Sequence, residues 1–128
     1  MKYLLDASAV LAALKRESGW ERVISMTPEA AIGAANLAEV VARLSEVSDS
    51  PAAIVEAFAT LAITVLPVEE TDGIAAGLLR KPTRHLGLSL GDRLCLAMAG
   101  RLGVTAVAAD RAFAPASVPA NVEVELIR

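Results

Sequence analysis

Short apolar runs that read as strands recur along this chain, and a stretch of helical periodicity follows nearly every one. "KYLL" ends at Asp6, and "SAVLAALKRE" follows with Val10, Leu11 and Leu14 on one side. "GWERVISM" reads as a second short helix, broken by Pro28. "AAIGA" is the next strand. Asn36 then opens the helix "LAEVVARLSEV", with Leu37, Val40, Val41, Leu44 and Val47 as its apolar stripe. Pro51 starts the helix "AAIVEAFATL", at a position where proline is well tolerated. The β-branched "AITVLPV" stops at Pro67 and reads as a strand. "TDGIAAGLLRK" follows as a helix with a basic end, then the loop "PTRHLGLS" and the helix "LGDRLCLAMAGRLG", closed by Gly103. "VTAVAA" is a buried strand stopping at Asp110, and "NVEVELI" alternates as a last, more exposed one. This alternation predicts an α/β fold, with a mostly parallel sheet covered on both faces.

Composition agrees with that expectation. Apolar residues make up 55% of the 128 positions and aromatics only 3%, so the core is built from Ala, Leu, Val and Ile, which suit helices packed closely on a sheet. The length predicts one domain with a core that needs no staple. A single cysteine, Cys95, allows no internal disulfide and reads as a small core residue. Asp6 interrupts the first apolar run, and no signal-peptide pattern follows. The weakly polar "AFATLAITVLPV" is too short to span a bilayer. The expectation is a soluble, cytoplasmic protein. A net charge of −3 gives no bulk attraction to polyanions, so any such binding rests on local patches.

Asp6 and Asp110 fall at carboxyl ends of predicted strands, the edge at which open parallel sheets bind ligands. Two further acids accompany them. Glu39 lies three residues after Asn36, and Asp92 completes S-x-x-D with Ser89. Each acid also has an ordinary structural reading. Asp6 could cap the helix after it, Glu39 could belong to a capping box or a solvated face, Asp92 could cap its helix, and Asp110 could cap the turn at Arg111. Two considerations favour a shared site. The helix bearing Asp92 is apolar nearly all round, so its carboxylate is only partly solvated. Carboxylates gathered at one sheet edge also repel and raise each other's pKa values, a penalty that a divalent cation removes. Helix N-termini favour the ionised forms by roughly 0.3–1 kcal/mol each.

One His and one Cys, far apart in sequence, argue against a zinc site of nitrogen and sulfur ligands. All-oxygen ligation points to Mg²⁺ or Mn²⁺, ions that activate water and stabilise charge in phosphoryl transfer. Phosphate-binding glycine motifs and a nucleophile elbow are absent. A phosphoacceptor signalling domain would want adjacent acids after the first strand and a late lysine, and "DASA" and "AADRAF" offer neither.

"YLLDASAVLAAL", "AANLAEVVARL", "GLSLGDRLCLAMAGRLG" and "AVAADRAF" resemble, in order, the four motif blocks of PIN-domain ribonucleases, and most nearly the VapC-type toxins of bacterial toxin–antitoxin pairs. The resemblance implies one PIN-like domain over residues 1–128, a three-layer α/β/α sandwich around a mostly parallel sheet. It implies that Asp6, Glu39, Asp92 and Asp110 form a catalytic acidic site for Mg²⁺, with Mn²⁺ able to substitute. Asp6 and Asp92 come first as direct ligands. The implied reaction is endonucleolytic hydrolysis of RNA by metal-activated water. Ser8 also fits the family pattern. Ala108 departs from it, since the family often has Thr or Ser two residues before the fourth acid. That departure keeps a second reading open: a catalytically weak or inactive member that binds RNA or protein.

Arg80, Lys81, Arg84, His85 and Arg93 cluster around the Asp92 motif, and Arg111 adjoins Asp110. They read either as a basic rim for phosphates, with Ser8, Arg84, Arg93 and Arg111 as substrate contacts, or as solvated surface charge. Leu11, Leu14, Trp20, Val23 and Ile24 exceed what a few strands need to cover, so they are either a partner surface or core. The resemblance implies a cognate antitoxin peptide there, homodimerisation elsewhere, and contact with DNA only through the antitoxin.

Overall fold

The computed structural model describes residues 1–128. Its five strands are β1 (Tyr3–Leu5), β2 (Ala30–Gly33), β3 (Thr64–Leu66), β4 (Thr105–Ala108) and β5 (Val124–Leu126). They form one sheet in the order β3-β2-β1-β4-β5, parallel at every pairing. Parallel neighbours need a long crossover between them. Helices α1 (Ala7–Lys15) and α2 (Trp20–Met26) lead from β1 to β2, and α3 (Ala34–Ser45) and α4 (Pro51–Ala59) from β2 to β3. Helices α5 (Glu70–Leu78) and α6 (Leu90–Leu102) lead from β3 to β4, and α7 (Phe113–Ala120) from β4 to β5.

The two-residue period of the strands divides the interior into two cores. Leu4, Ala31, Ala106 and Ala108 pack with Cys95, Leu96 and Met98 of α6 and Phe113 of α7. Leu5, Ile32 and Val107 face the other way, onto Val10, Val23, Met26 and Val40. The result is an α/β/α sandwich. Small side chains on the α6 face let that helix lie close. At Gly33 a Cβ would stand 2.8 Å from the Met98 sulfur, so a side chain at the end of β2 would displace the Met98 thioether.

Chain order runs from β1 outward to β2 and β3, and the later strands extend the sheet on the other side. The reversal lies between β1 and β4, where ligand crevices of open α/β sheets form. Asp6 follows β1 directly, and Asp110 follows β4 after one residue.

The structure differs from the sequence pattern at four places. Helix α3 begins at Ala34 with Gly33 at its cap, so Asn36 lies inside the helix rather than opening it. The same helix ends at Ser45, which leaves Val47 outside its stripe and 78% exposed. Helix α5 ends at Leu78 with no basic residue in its last turn, because Arg80 and Lys81 lie in the turns that follow. The pattern assigns no helix to 113–120, yet α7 forms there. Pro115 falls in its first turn, where the missing N–H has no helical partner to lose, and Pro119 falls at its end, before Asn121 in the left-handed region at φ 52°.

Candidate metal centre

Asp6 is both a helix cap and the most deeply placed acid of the carboxyl edge. Its backbone is extended ahead of α1, and its Oδ2 accepts from the Ser8 N–H at 3.0 Å and the Ser8 hydroxyl at 2.6 Å. The Ser8 oxygen in turn accepts from the Ala109 N–H at 2.9 Å, so one hydroxyl ties the ends of β1 and β4 together. Only 3% of Asp6 is exposed. Burial pushes its carboxyl up to about 6; the bonds from Ser8 oppose that rise, and the nearby charges of Asp92 and Glu39 add to it.

Glu39 reaches the same place from α3. It is half-buried, and burial raises its pKa, opposed by a hydrogen bond from Asn36 and reinforced by the charge of Asp92. Asp92 comes from the first turn of α6. Its Oδ2 accepts from the Ser89 N–H at 2.8 Å while the Ser89 hydroxyl accepts from the Asp92 N–H at 3.1 Å, a reciprocal capping box. Burial again raises its pKa; the Ser89 bonds and Arg93 pull it down, and Asp110 pushes it up. Asp110 is exposed and accepts from the Ala112 N–H at 2.9 Å. The capping roles foreseen for Asp6, Asp92 and Asp110 are therefore present, and they hold the carboxylates at this edge.

All four acids line one cavity of about 350 Å³, together with Ser8, Leu11 and Arg43. Three roomier cavities, of about 540, 560 and 690 Å³, lie elsewhere and gather no comparable set of acids. Chemistry rather than size singles out this one. The four carboxylates surround it without closing on a point, since no three His, Cys, Asp or Glu side chains form a ready-made ion cage. Their chemistry nevertheless fits a hard divalent cation: oxygen donors only, three of them at least partly buried, with Asp92 and Glu39 raising the pKa of Asp6, Asp92 that of Glu39, and Asp110 that of Asp92. Cys95 offers no alternative nucleophile or ligand, being fully buried with its thiol pKa driven up by burial and by the acids.

The expected basic rim is arranged differently. Arg93 donates from Nη1 to the Ala76 carbonyl of α5 at 2.9 Å, and its buried Nε has no partner. It clamps α5 to α6 rather than edging the cavity. Arg80, Lys81, Arg84, His85 and Arg111 are exposed and do not line the cavity, while Ser8 is engaged in holding Asp6. The cation that does line it is Arg43, one helical turn after Glu39, which the sequence reading did not single out. It also missed the structural part of Asn36. The signal was available: Asn36 lies four residues before the fully buried Val40 and so shares its face. An asparagine on a buried face needs hydrogen-bond partners.

The sequence profile described as PIN domain matches residues 3–118. The chain belongs to the PIN-domain family. No curated protein matches it. Solved structures similar to this PIN domain include VapBC2 from Rickettsia felis bound to a promoter DNA fragment, at 18% identity and a TM-score of 0.77 over 98% of each chain. DNA-bound VapBC from Salmonella typhimurium is similar at 24% identity and a TM-score of 0.76, over 100% of this chain and 99% of that one. VapBC-1 from nontypeable Haemophilus influenzae is similar at 16% identity and a TM-score of 0.74, over 99% and 98%. At these identities the likeness is one of fold, and it bears out the α/β/α sandwich with a parallel centre.

Proposed function

We propose that this PIN domain is a Mg²⁺- or Mn²⁺-dependent endoribonuclease and the toxin of a toxin–antitoxin pair. One observation carries the reading: four carboxylates from four separate segments line a single cavity at the switch point of a parallel sheet. Their mutual repulsion is what a cation would relieve. Asp6 and Asp92 are assigned as first ligands, with Glu39 and Asp110 completing an all-oxygen donor set. When bound, such an ion supplies an activated water and neutralises charge on the phosphoryl oxygens. Ser8 fixes the Asp6 carboxylate. Arg43, the one cation lining the cavity, is assigned to a phosphate of the strand being cut.

The fold neighbours include a toxin–antitoxin complex from Klebsiella pneumoniae and VapBC structures, and three of the neighbours hold DNA. This supports a cognate antitoxin as partner, with DNA reached through it; a homodimeric toxin acting in the cytoplasm belongs to the same proposal. No helix of the chain is long and apolar enough to cross a membrane. Leu11, Leu14, Trp20 and Ile24 remain partly or largely exposed, whereas Val23 is buried, and Leu11 also lines the acidic cavity. An antitoxin segment lying over α1 and α2 would thus reach the site itself.

The test is induction in cells and Mg²⁺-dependent RNA cleavage in vitro, wild type against Asp6→Asn. Toxicity and cleavage that both vanish on substitution support the enzyme. Equal behaviour of the two proteins would favour the binding module that Ala108 suggests.

A further inference from the structure

The Asn36 side chain is fully buried, and its amide nitrogen faces three acceptors: Glu39 Oε1 at 2.9 Å, the Gly91 carbonyl at 3.1 Å and Asp6 Oδ1 at 3.3 Å. The amide orientation follows from chemistry, since the flipped form would turn an oxygen toward two carboxylates and a carbonyl. Its own oxygen has no partner. A buried unsatisfied oxygen is costly, so the placement of the nitrogen calls for an explanation. Two N–H groups serving three acceptors hold both carboxylates close without supplying a charge to neutralise them. A lysine or arginine would cancel the charge that a metal site must keep, and an amide does not.

Gly91 shapes the same place from the other side. A Cβ there would stand 2.1 Å from Glu39 Oε1 and 2.5 Å from its Cδ. Glu39 therefore occupies the space that a side chain on α6 would fill. We propose that Asn36 and Gly91 are the positioning residues of the acidic site: the amide ties Glu39 to Asp6 and to α6, and the bare α-carbon leaves the slot that receives the Glu39 carboxylate. This rests on the acidic-cavity reading above and says which residues outside the donor set fix its geometry.

Gly91→Ala separates this role from mere folding. The atoms it displaces are the far end of a flexible side chain, and alanine is the better helix former, so the fold keeps its stability while Glu39 is pushed away. Asn36→Leu removes the amide while keeping the branched heavy-atom skeleton. The measurement is Mn²⁺ binding to purified full-length protein by calorimetry or electron paramagnetic resonance, alongside the metal-free unfolding temperature. Gly91→Ala unfolds at or above the wild-type temperature yet binds Mn²⁺ ten- to a hundredfold more weakly, the usual range for groups that orient ligands. Asn36→Leu weakens Mn²⁺ binding by a similar factor. In a Glu39→Gln background Gly91→Ala has no further effect on affinity, because the two act through one carboxylate. Wild-type affinity within twofold in Gly91→Ala would overturn the proposal alone. A wild type that takes up no Mn²⁺ would overturn the acidic-site reading and this one with it.

Discussion

Asp6 is held by the contacts that make it a helix cap, and burial makes that cap a strained place for a charge. Asparagine at this position keeps the size and an acceptor for Ser8 but carries no charge. Raising the carboxyl from 3.8 to about 6 corresponds to ~3 kcal/mol of differential cost between its protonation states. Asp6→Asn is therefore expected to abolish RNA cleavage while raising metal-free stability at pH 7 by about 1–3 kcal/mol, measured by denaturant unfolding. A variant less stable than wild type would contradict the origin assigned to the shift. Arg43 plays the opposite electrostatic part. Replacing it with alanine should weaken binding of a single-stranded RNA and reduce the slope of log K against log salt by roughly 1, with little effect on folding. An unchanged salt slope would place Arg43 outside the substrate path.

Helix α5 carries the test of how the far side of the sandwich is held. Asp72 completes a capping box with Glu69, is 1% exposed, and accepts from Arg101 Nε at 2.7 Å and Nη2 at 3.0 Å. The Arg101 guanidinium holds its carboxyl below the usual range. Arg101→Ala leaves the Asp72 carboxylate without its ion pair and is expected to lower the denaturant unfolding midpoint. Gly73 and Gly77 lie in the same helix with open space at the Cβ position, so alanine at either is expected to add up to about 1 kcal/mol. The elements themselves were legible to different degrees, for physical reasons. Strand–helix alternation and the all-apolar α6 gave the sandwich, because burial on two faces imposes an apolar run whatever the neighbours are. Helix α7 was hidden by two prolines whose harm depends on position within the helix, which a composition-based reading does not resolve. The four acids were legible from strand ends and capping spacing. Asn36 was legible only as a polar residue on the apolar face of α3, and Gly91 not at all, since what the two do lies in contacts between α3 and α6, residues 55 apart.

For the molecule as a whole, the acidic edge and the α5 ion pair pull stability in opposite directions with pH. A carboxyl whose folded pKa is raised binds more protons folded than unfolded, so its contribution falls as pH rises between 3.8 and about 6, the window set by Asp6. Glu39 and Asp92, shifted the same way, add to that fall. Asp72, shifted down, gives stability that is complete above its ordinary value of 3.8 and is lost as pH drops through its lowered one. Metal-free protein should therefore unfold most easily below the Asp72 titration and again soften from about pH 4 to 6. A divalent cation binds the ionised acids of the folded state and stabilises it by mass action. Mg²⁺ or Mn²⁺ is thus expected to raise the unfolding temperature at pH 7, to do so far less at pH 5, and to do nothing for Asp6→Asn at either. A metal-induced rise that persists undiminished at pH 5, read by scanning calorimetry across the series, would mean that the ion binds elsewhere than among these carboxylates.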